Sequence, residues 1–430
     1  MRCKSSCKGL SYEGCVNRCT YTKKNYCRLS SRYAMRGPSC KVTRRFSKKR
    51  PDDARRVLTR AIEKSKLFIS ILCSDSGMCI ALGNRTKEIS QFFNGFTGFE
   101  YATDMKTIAR SGNGYIKEIT YTRDNYVSYA ILKSAIKKSS DNLFYEYVVG
   151  LGFVNTIMKR LPCFLETYGM YYYPAQHTMK TSDDLQNLMS LTIETKADFK
   201  KACDYPTNIG ILLQHVRGPT LDTIMNSTEF KINDMTYVLF IIYHALASVS
   251  ESFTHYDLHT NNIILVKPFE DKCIRFIYHD IGIEFNCLYL PKIIDYGRSF
   301  FKGVHITAEH IYTMICDECV KCGEASGFSW LTPRPNKHSY WISSSVKNES
   351  HDLRLLTLLP IGLPLPLTQL LTKVVYNDKY GTKENLSTNF LIYNVKGFYR
   401  AISSIIVDNN RPVGGILHIY ADKPMFYERV

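Results

Sequence analysis

Two periods of apolar residues alternate along this chain, and the places where one gives way to the other mark its elements. Residues 237–250 (YVLFIIYHALASVS) are apolar at almost every position, the pattern of a buried helix, with His244 as an interruption. Ile263–Val266 and the run that ends in Asp295 (KIID) read as short strands. On both sides of Asp280-Ile281-Gly282 the stretch IRFIYHDIGIEFNCLYLPKIID alternates apolar and polar residues, which predicts a hairpin. Upstream, strands are expected behind Gly112 and Gly114 in residues 111–122, in YAILKSA (129–135), in CFLETYG (163–169) and in IGILLQHVRG (209–218). A helix is expected over LFYEYVVG, with Ser140 or Asp141 as its cap. Phe92, Phe93, Phe96 and Phe99 read as packing anchors, residues 56–71 as a helix or a strand within 66–73, and 171–205 as a polar surface excursion. A second, helical region then starts at 221–225. The pattern predicts an α+β protein, with a group of strands and one helix ahead of a further helical region.

Length and composition narrow this only slightly. The 430 residues suffice for two or three domains, and 45% hydrophobic content supports a sizeable core. No apolar run approaches the ~20 residues that span a bilayer, so no transmembrane segment is expected. The basic, cysteine-bearing start lacks the apolar core of a secretory signal. The net charge of +17 is concentrated at the start, where residues 1–60 hold eighteen Lys/Arg against Glu13, Asp52 and Asp53. A basic arm on a near-neutral body points to an anionic or protein partner for the arm, or to simple solubilisation. Six of the fifteen cysteines (Cys3, Cys7, Cys15, Cys19, Cys27, Cys40) fall in the first forty residues, a cluster suited to a small stapled unit. Residues 41–60 read as a basic linker with Pro51. Cys316, Cys319 and Cys322 are spaced for Zn²⁺, with reduced thiols as the simpler reading.

The candidate chemistry lies in HYDLHTNN, residues 255–262, between the apolar helix and a strand. It holds Asp257 and, five residues on, Asn262; KIIDYG then ends a strand in Asp295. Phosphoryl transfer to a hydroxyl needs such a set. One carboxylate orients and deprotonates the acceptor, while an Asn and a second carboxylate hold the Mg²⁺ that bridges nucleotide phosphates. An Asp and an Asn in a loop also cap helices and turns, which is the plainer role.

HYDLHTNN resembles the catalytic loop H-R-D-L-x-x-x-N of the eukaryotic-like protein kinase superfamily, and DYG resembles its D-F-G. The resemblance implies an α+β, bilobal protein-kinase-like fold, with a small lobe over 102–216 built on a five-stranded antiparallel sheet with one helix, a mainly helical lobe over 217–430 and an extension over 61–101. It implies ATP and Mg²⁺ as cofactors, Asp257 as catalytic base, and Asn262 and Asp295 as metal ligands. Lys133 in YAILKSA resembles the lysine of V-A-I-K, which contacts the α- and β-phosphates, and Glu146 is its implied partner, ahead of Glu166. Gly112 and Gly114 resemble part of the glycine loop over the phosphates, although Lys117 stands where a third glycine would. Gln214–Val216 would be the hinge beside adenine. Asp352 in SHDLRLL resembles the buried Asp that braces the catalytic loop. Tyr256 replaces the usual Arg and A-P-E is absent, which argues against regulation through a phosphorylated activation segment.

Residues 9–33, with Cys15, Cys19 and Tyr26-Cys27-Arg28, resemble the 2-cysteine adaptor of large DNA viruses, found fused to Ser/Thr protein kinases. Together the likenesses imply a virus-encoded Ser/Thr protein kinase acting on protein substrates, in the host-cell cytoplasm or packaged in the virion, with residues 1–40 used for docking. Two other functions stay open. His259 makes the loop similar to that of aminoglycoside and choline kinases, and the incomplete glycine loop suits a pseudokinase or virion scaffold. Nothing in the residues specifies an oligomeric state.

Overall fold

Two short strands, β1 (Cys19–Tyr21) and β2 (Cys27–Leu29), pair antiparallel with Tyr21 opposite Cys27. They belong to the first of the two units into which contacts divide the chain, Met1–Lys64 and Ser65–Val430. The structure is a computed structural model that describes residues 19–21, 27–29, 86–110, 114–135, 143–158, 160–173, 181–191, 209–303, 328–331, 339–342, 344, 346–376, 391–420 and 426–428. Cys3, Cys7, Cys15 and Cys40, the expected helix or strand within 56–73, Gly112, and Cys316, Cys319 and Cys322 lie outside the described residues.

In the second unit, six strands form one antiparallel sheet: β3 (Ala102–Arg110), β4 (Gly114–Arg123), β5 (Tyr126–Ala135), β6 (Thr167–Tyr172), β7 (Met189–Ser190) and β8 (Ile209–Gln214). Their spatial order is β3-β4-β5-β8-β6-β7. The sheet therefore has six strands where the resemblance implies five. The extra edge strand β7 pairs two residues with Tyr171 and Tyr172, too few to leave an alternating signature. The strand expected over 163–169 starts only at Thr167. Phe164 is wholly buried and makes a single bridge to Ile293, so this run is apolar because it enters the core.

Alternation along the strands assigns the two faces of the sheet. Ala130, Leu132 and Leu212 point to a cluster that includes Phe93, Phe96 and Phe99, next to helix α1 (Thr86–Phe92). Ile209 and Ile211 point the other way, into the larger core with Leu143 and Val149 of α2 (Leu143–Val149). Lys133, one residue on from Leu132, is thereby directed to the α2 side. Helix α2 continues through a π-turn, Gly150–Val154, to Asn155–Ile157.

Helix α3 (Met235–Val249) carries eleven buried residues and runs through the main core. After it come β9 (Phe253–Thr254), β10 (Ile263–Val266), β11 (Cys273–Tyr278), β12 (Ile283–Cys287), β13 (Leu290–Ile293) and β14 (Phe300–Phe301). The expected hairpin at 280–282 is β11–β12. It belongs to a larger sheet, because β17 (Val413–Ile419) pairs parallel to β11, and β18 (Phe426–Glu428) pairs with β17. This four-stranded sheet rests on α3 through Phe240, whose ring centroid lies 5.0 Å from Tyr278 and 5.5 Å from Phe285. The region beyond 217 is thus less purely helical than expected. A second hairpin, β15 (Phe328–Leu331) with β16 (Ser339–Ile342), precedes α4 (Arg354–Thr357), α5 (Leu365–Leu371) and α6 (Val395–Ser403).

His244 is buried on α3 among the rings of Tyr278 (4.6 Å) and Tyr399 (5.4 Å). Burial pushes its imidazole down to about 4, against a smaller upward pull from Asp280. A histidine held neutral contributes fully above its unfolded value near 6.5 and loses that contribution as pH falls towards 4. His244→Phe, which keeps a ring but cannot charge, is expected to gain on the wild type over that window by up to about 3 kcal/mol, read from urea midpoints at pH 7 and pH 4.

Gly218, just past β8, has space for no side chain. A Cβ there would meet Leu265 O at 2.0 Å, and the neighbouring Pro219 O accepts the Leu265 N–H at 2.9 Å. Gly218→Ala is expected to cost about 1–3 kcal/mol, visible as a lower urea midpoint.

Candidate active site

The alternation that sends Lys133 towards α2 brings it to two carboxylates. Its Nζ lies 2.6 Å from Glu146 Oε2 and 3.1 Å from Asp295 Oδ1. Glu146 is only 3% exposed, so an unpaired charge there would be costly. Burial alone would push the Lys133 amine down, but Asp295 and Glu146 outweigh it and hold the ammonium above the ordinary lysine range. Lys133 in turn holds the Asp295 carboxyl below its usual value. Glu146 is therefore the partner in place, and Glu166 is not.

The loop 255–262 is fixed by its backbone. The Asp352 carboxylate, 3% exposed, accepts the N–H groups of His255 (2.8 Å) and Tyr256 (3.1 Å). Burial pushes this carboxyl up to about 7 against the pull of those two donors. Tyr243 on α3 donates its hydroxyl to Asp352 O at 2.8 Å, so the brace is itself held. Asp352 follows the start of a single 3₁₀ turn, His351–Leu353, as the residue pattern anticipates.

His255 joins the loop to the segment before Asp295. Its Nε2 lies 3.0 Å from Ile294 O, and its Nδ1 accepts the Asp257 N–H at 3.3 Å. Both contacts suit the neutral ring with its proton on Nε2. Burial pushes this imidazole down to about 4, and a proton on Nδ1 would face the Asp257 N–H. Asn262 completes the tie: its Nδ2 donates to Asp257 O at 2.9 Å, and its own carbonyl accepts the Ile294 N–H at 3.0 Å. Tyr256 (φ +64°) and Asp295 (φ +69°) are both left-handed, at a cost of roughly 1–2 kcal/mol each. Hydrogen bonds around each sustain the strain. For Tyr256 these include a bond from its hydroxyl to Val346 O.

Lys133, Glu146, Asp257, Asn262 and Asp295 are thus one connected set. The Asn262 amide nitrogen is taken up by Asp257 O, which leaves its Oδ1 for a cation. Asp295, 44% exposed at its side chain, directly follows Ile294, whose N–H is held by the Asn262 carbonyl. An amide oxygen and one carboxylate are hard donors, and so small a set suits Mg²⁺, which keeps waters and substrate phosphates in its shell. No group of three or more His, Cys, Asp or Glu suited to a metal occurs among the described residues.

The other expected residues fall at the edges. Gly114 opens β4, opposite Ala135. Lys117 is buried within β4 with its Nζ 5.7 Å from the Tyr115 ring centroid. The Gln214 N–H and side-chain Oε1 both bond Glu166, at 2.8 and 3.2 Å, and Val216 packs half-buried on the core. His215 and Arg217 in the same stretch meet the buried Glu118 of β4 at 3.1 and 3.2 Å, with the Arg217 guanidinium 3.9 Å over the Tyr129 ring.

Sequence reasoning passes over two arginines. Arg354 Nη1 is 3.6 Å from Asp257 Oδ1, and Arg298 Nε is 3.8 Å from Asp257 Oδ2. His259 Nε2 stands 3.9 Å from Oδ1, while its Nδ1 accepts the Asn261 N–H at 3.2 Å. Only the R immediately after DYG hinted at Arg298, and nothing local hinted at Arg354. No protein-family model matches the chain, and no curated protein matches it.

Proposed function

We propose that the chain is an ATP- and Mg²⁺-dependent protein kinase of bilobal, protein-kinase-like fold that phosphorylates Ser/Thr hydroxyls of proteins. The observation that carries this reading is the Lys133 ammonium held between Glu146 at 2.6 Å and Asp295 at 3.1 Å, 162 residues away in sequence. A purely structural ion pair needs one carboxylate. A second, more exposed one that also adjoins the His255–Asn262 loop suits a cleft that receives phosphates.

In this reading Lys133 contacts the α- and β-phosphates and Glu146 keeps its amine in place. Asp257 orients the acceptor hydroxyl and takes its proton as the hydroxyl oxygen bonds the γ-phosphorus and the bond from that phosphorus to the β,γ-bridging oxygen breaks, releasing ADP. Asn262 and Asp295 would hold Mg²⁺. When bound, the ion supplies charge neutralisation on the phosphate oxygens. Gly112 and Gly114 would lie over the phosphates, with Gln214–Val216 beside the base. Catalysis rests on positioning and fixed charge. Residues 1–40 would dock an anionic or protein partner.

A small-molecule phosphotransferase is the second reading, favoured by the His259 imidazole directed at Asp257. Purified protein with γ-labelled ATP should label casein in a Mg²⁺-dependent manner, with phosphoserine or phosphothreonine in the hydrolysate. Label in aminoglycosides or choline and none in casein would favour the second reading. Label in neither would leave the scaffold role.

A further inference from the structure

We propose that Arg298 and Arg354 are positioning residues that fix the orientation of the Asp257 carboxylate; the inference rests on the kinase reading above. The bonds from His255 and Asn262 reach only the backbone of Asp257, so they leave its side-chain rotors to be set by other contacts. The two arginines reach the side chain from different elements and meet different oxygens, Arg354 facing Oδ1 and Arg298 facing Oδ2. Two points of attraction define the carboxylate plane, where one would leave it free to turn.

The separations, 3.6 and 3.8 Å, exceed hydrogen-bond length, so each guanidinium acts here as a charge. The carboxylate is thereby kept as an anion and held in place. Both side chains are largely buried, at 8% and 13% exposure, which weakens solvent screening and limits their own motion. Their origins add meaning. Arg354 lies two residues after Asp352, which holds the N–H groups of His255 and Tyr256, so one short segment meets both the backbone leading into Asp257 and the Asp257 side chain. Arg298 lies three residues after Asp295, and its carbonyl accepts the Ser344 hydroxyl at 2.6 Å. It links the orientation of the base to the segment that carries the second carboxylate. The residue before Asp257 is Tyr256, not a cation, and its hydroxyl is bonded to Val346 O. The charge beside Asp257 therefore comes from positions remote in sequence.

The test is steady-state kinetics on Arg298→Gln, Arg354→Gln and the corresponding lysine variants, with Asp257→Asn alongside. Each glutamine variant should lower kcat about ten- to hundredfold, the scale of a misplaced reacting group. The KM for ATP and the Mg·ATP-induced rise in melting temperature should stay within about twofold of wild type. Lysine, which keeps the charge, should restore most of kcat, since charge and not a bidentate bond is what acts. Unchanged kcat in both glutamine variants overturns the proposal, as does a parallel loss of kcat and nucleotide binding that lysine fails to rescue. If Arg354→Gln does not fold, Arg298→Gln and the lysine pair make the same comparison. Asp257→Asn separates the two levels. Wild-type activity in that variant overturns the assignment of the base itself, whereas an inactive Asp257→Asn beside fully active arginine variants overturns only their positioning role.

Discussion

Asp257→Asn should lower the rate of phosphoryl transfer by roughly 10² to 10⁴-fold, the usual worth of a positioned general base, while Mg·ATP binding persists. The amide keeps the volume of the carboxylate, so the backbone bonds from His255 and Asn262 can remain. What disappears is the anion that faces Arg298 and Arg354, the group proposed to accept the hydroxyl proton. Single-turnover transfer to casein gives the rate, and a nucleotide-induced thermal shift gives the binding. Loss of both together would mean that the side chain holds the cleft and does not act as the base.

Lys133→Met should abolish transfer and, in addition, make stability depend on pH in a way the wild type does not. Without the ammonium, Glu146 is left almost wholly buried beside Asp295. Burial already pushes the Glu146 carboxyl up to about 7, and Lys133 is the chief group holding it down. Removing Lys133 raises it further, so the folded variant holds a proton on Glu146 that the unfolded chain releases near pH 4.3. The sign follows: a carboxyl raised in the folded state costs stability as pH increases. Lys133→Met should be less stable than wild type already at pH 6, where the ion pairs to Glu146 and Asp295 are gone, and should lose more again by pH 9, where the buried Glu146 must ionise without its ammonium. Lys133→Met/Glu146→Gln should recover that further loss at pH 9 and remain inactive, because no amine is left for the phosphates. Urea midpoints of the three proteins at the two pH values provide the comparison.

How much of this was legible beforehand depends on how local each signal is. Helix α3 was visible because eleven of its residues are buried and the apolar run is nearly unbroken. Ile263–Val266 and the β11–β12 hairpin were visible because each lies between clear breaks, and the turn at Asp280-Ile281-Gly282 carries a left-handed glycine at φ +63°. Lys133 was visible because a charged residue inside an apolar strand demands a reason, and Glu146 because it alone is acidic on the next helix.

Long-range pairing was not legible. β17 joins β11 as a parallel neighbour from the far end of the chain, and its start, Val413-Gly414-Gly415, breaks the alternation that would announce a strand. Gly414 is small for a local reason, since a Cβ there would approach the Phe269 ring at 2.8 Å. Arg298 and Arg354 look like ordinary surface charges in sequence, and only the fold turns them inward to Asp257. Glu118 likewise sits mid-strand in β4, and its partners come from two separate stretches, Lys106 from β3 and His215 with Arg217 from the segment after β8.

The measurement closest to the central claim is the change in melting temperature on adding ATP, with Mg²⁺ or with EDTA, to wild-type protein and to Asp295→Asn. Convergence of Lys133, Asn262 and Asp295 on a magnesium-nucleotide gives a stabilisation that requires Mg²⁺ in the wild type and is lost in Asp295→Asn. No stabilisation of the wild type, or one equally large without Mg²⁺ and in Asp295→Asn, would contradict it.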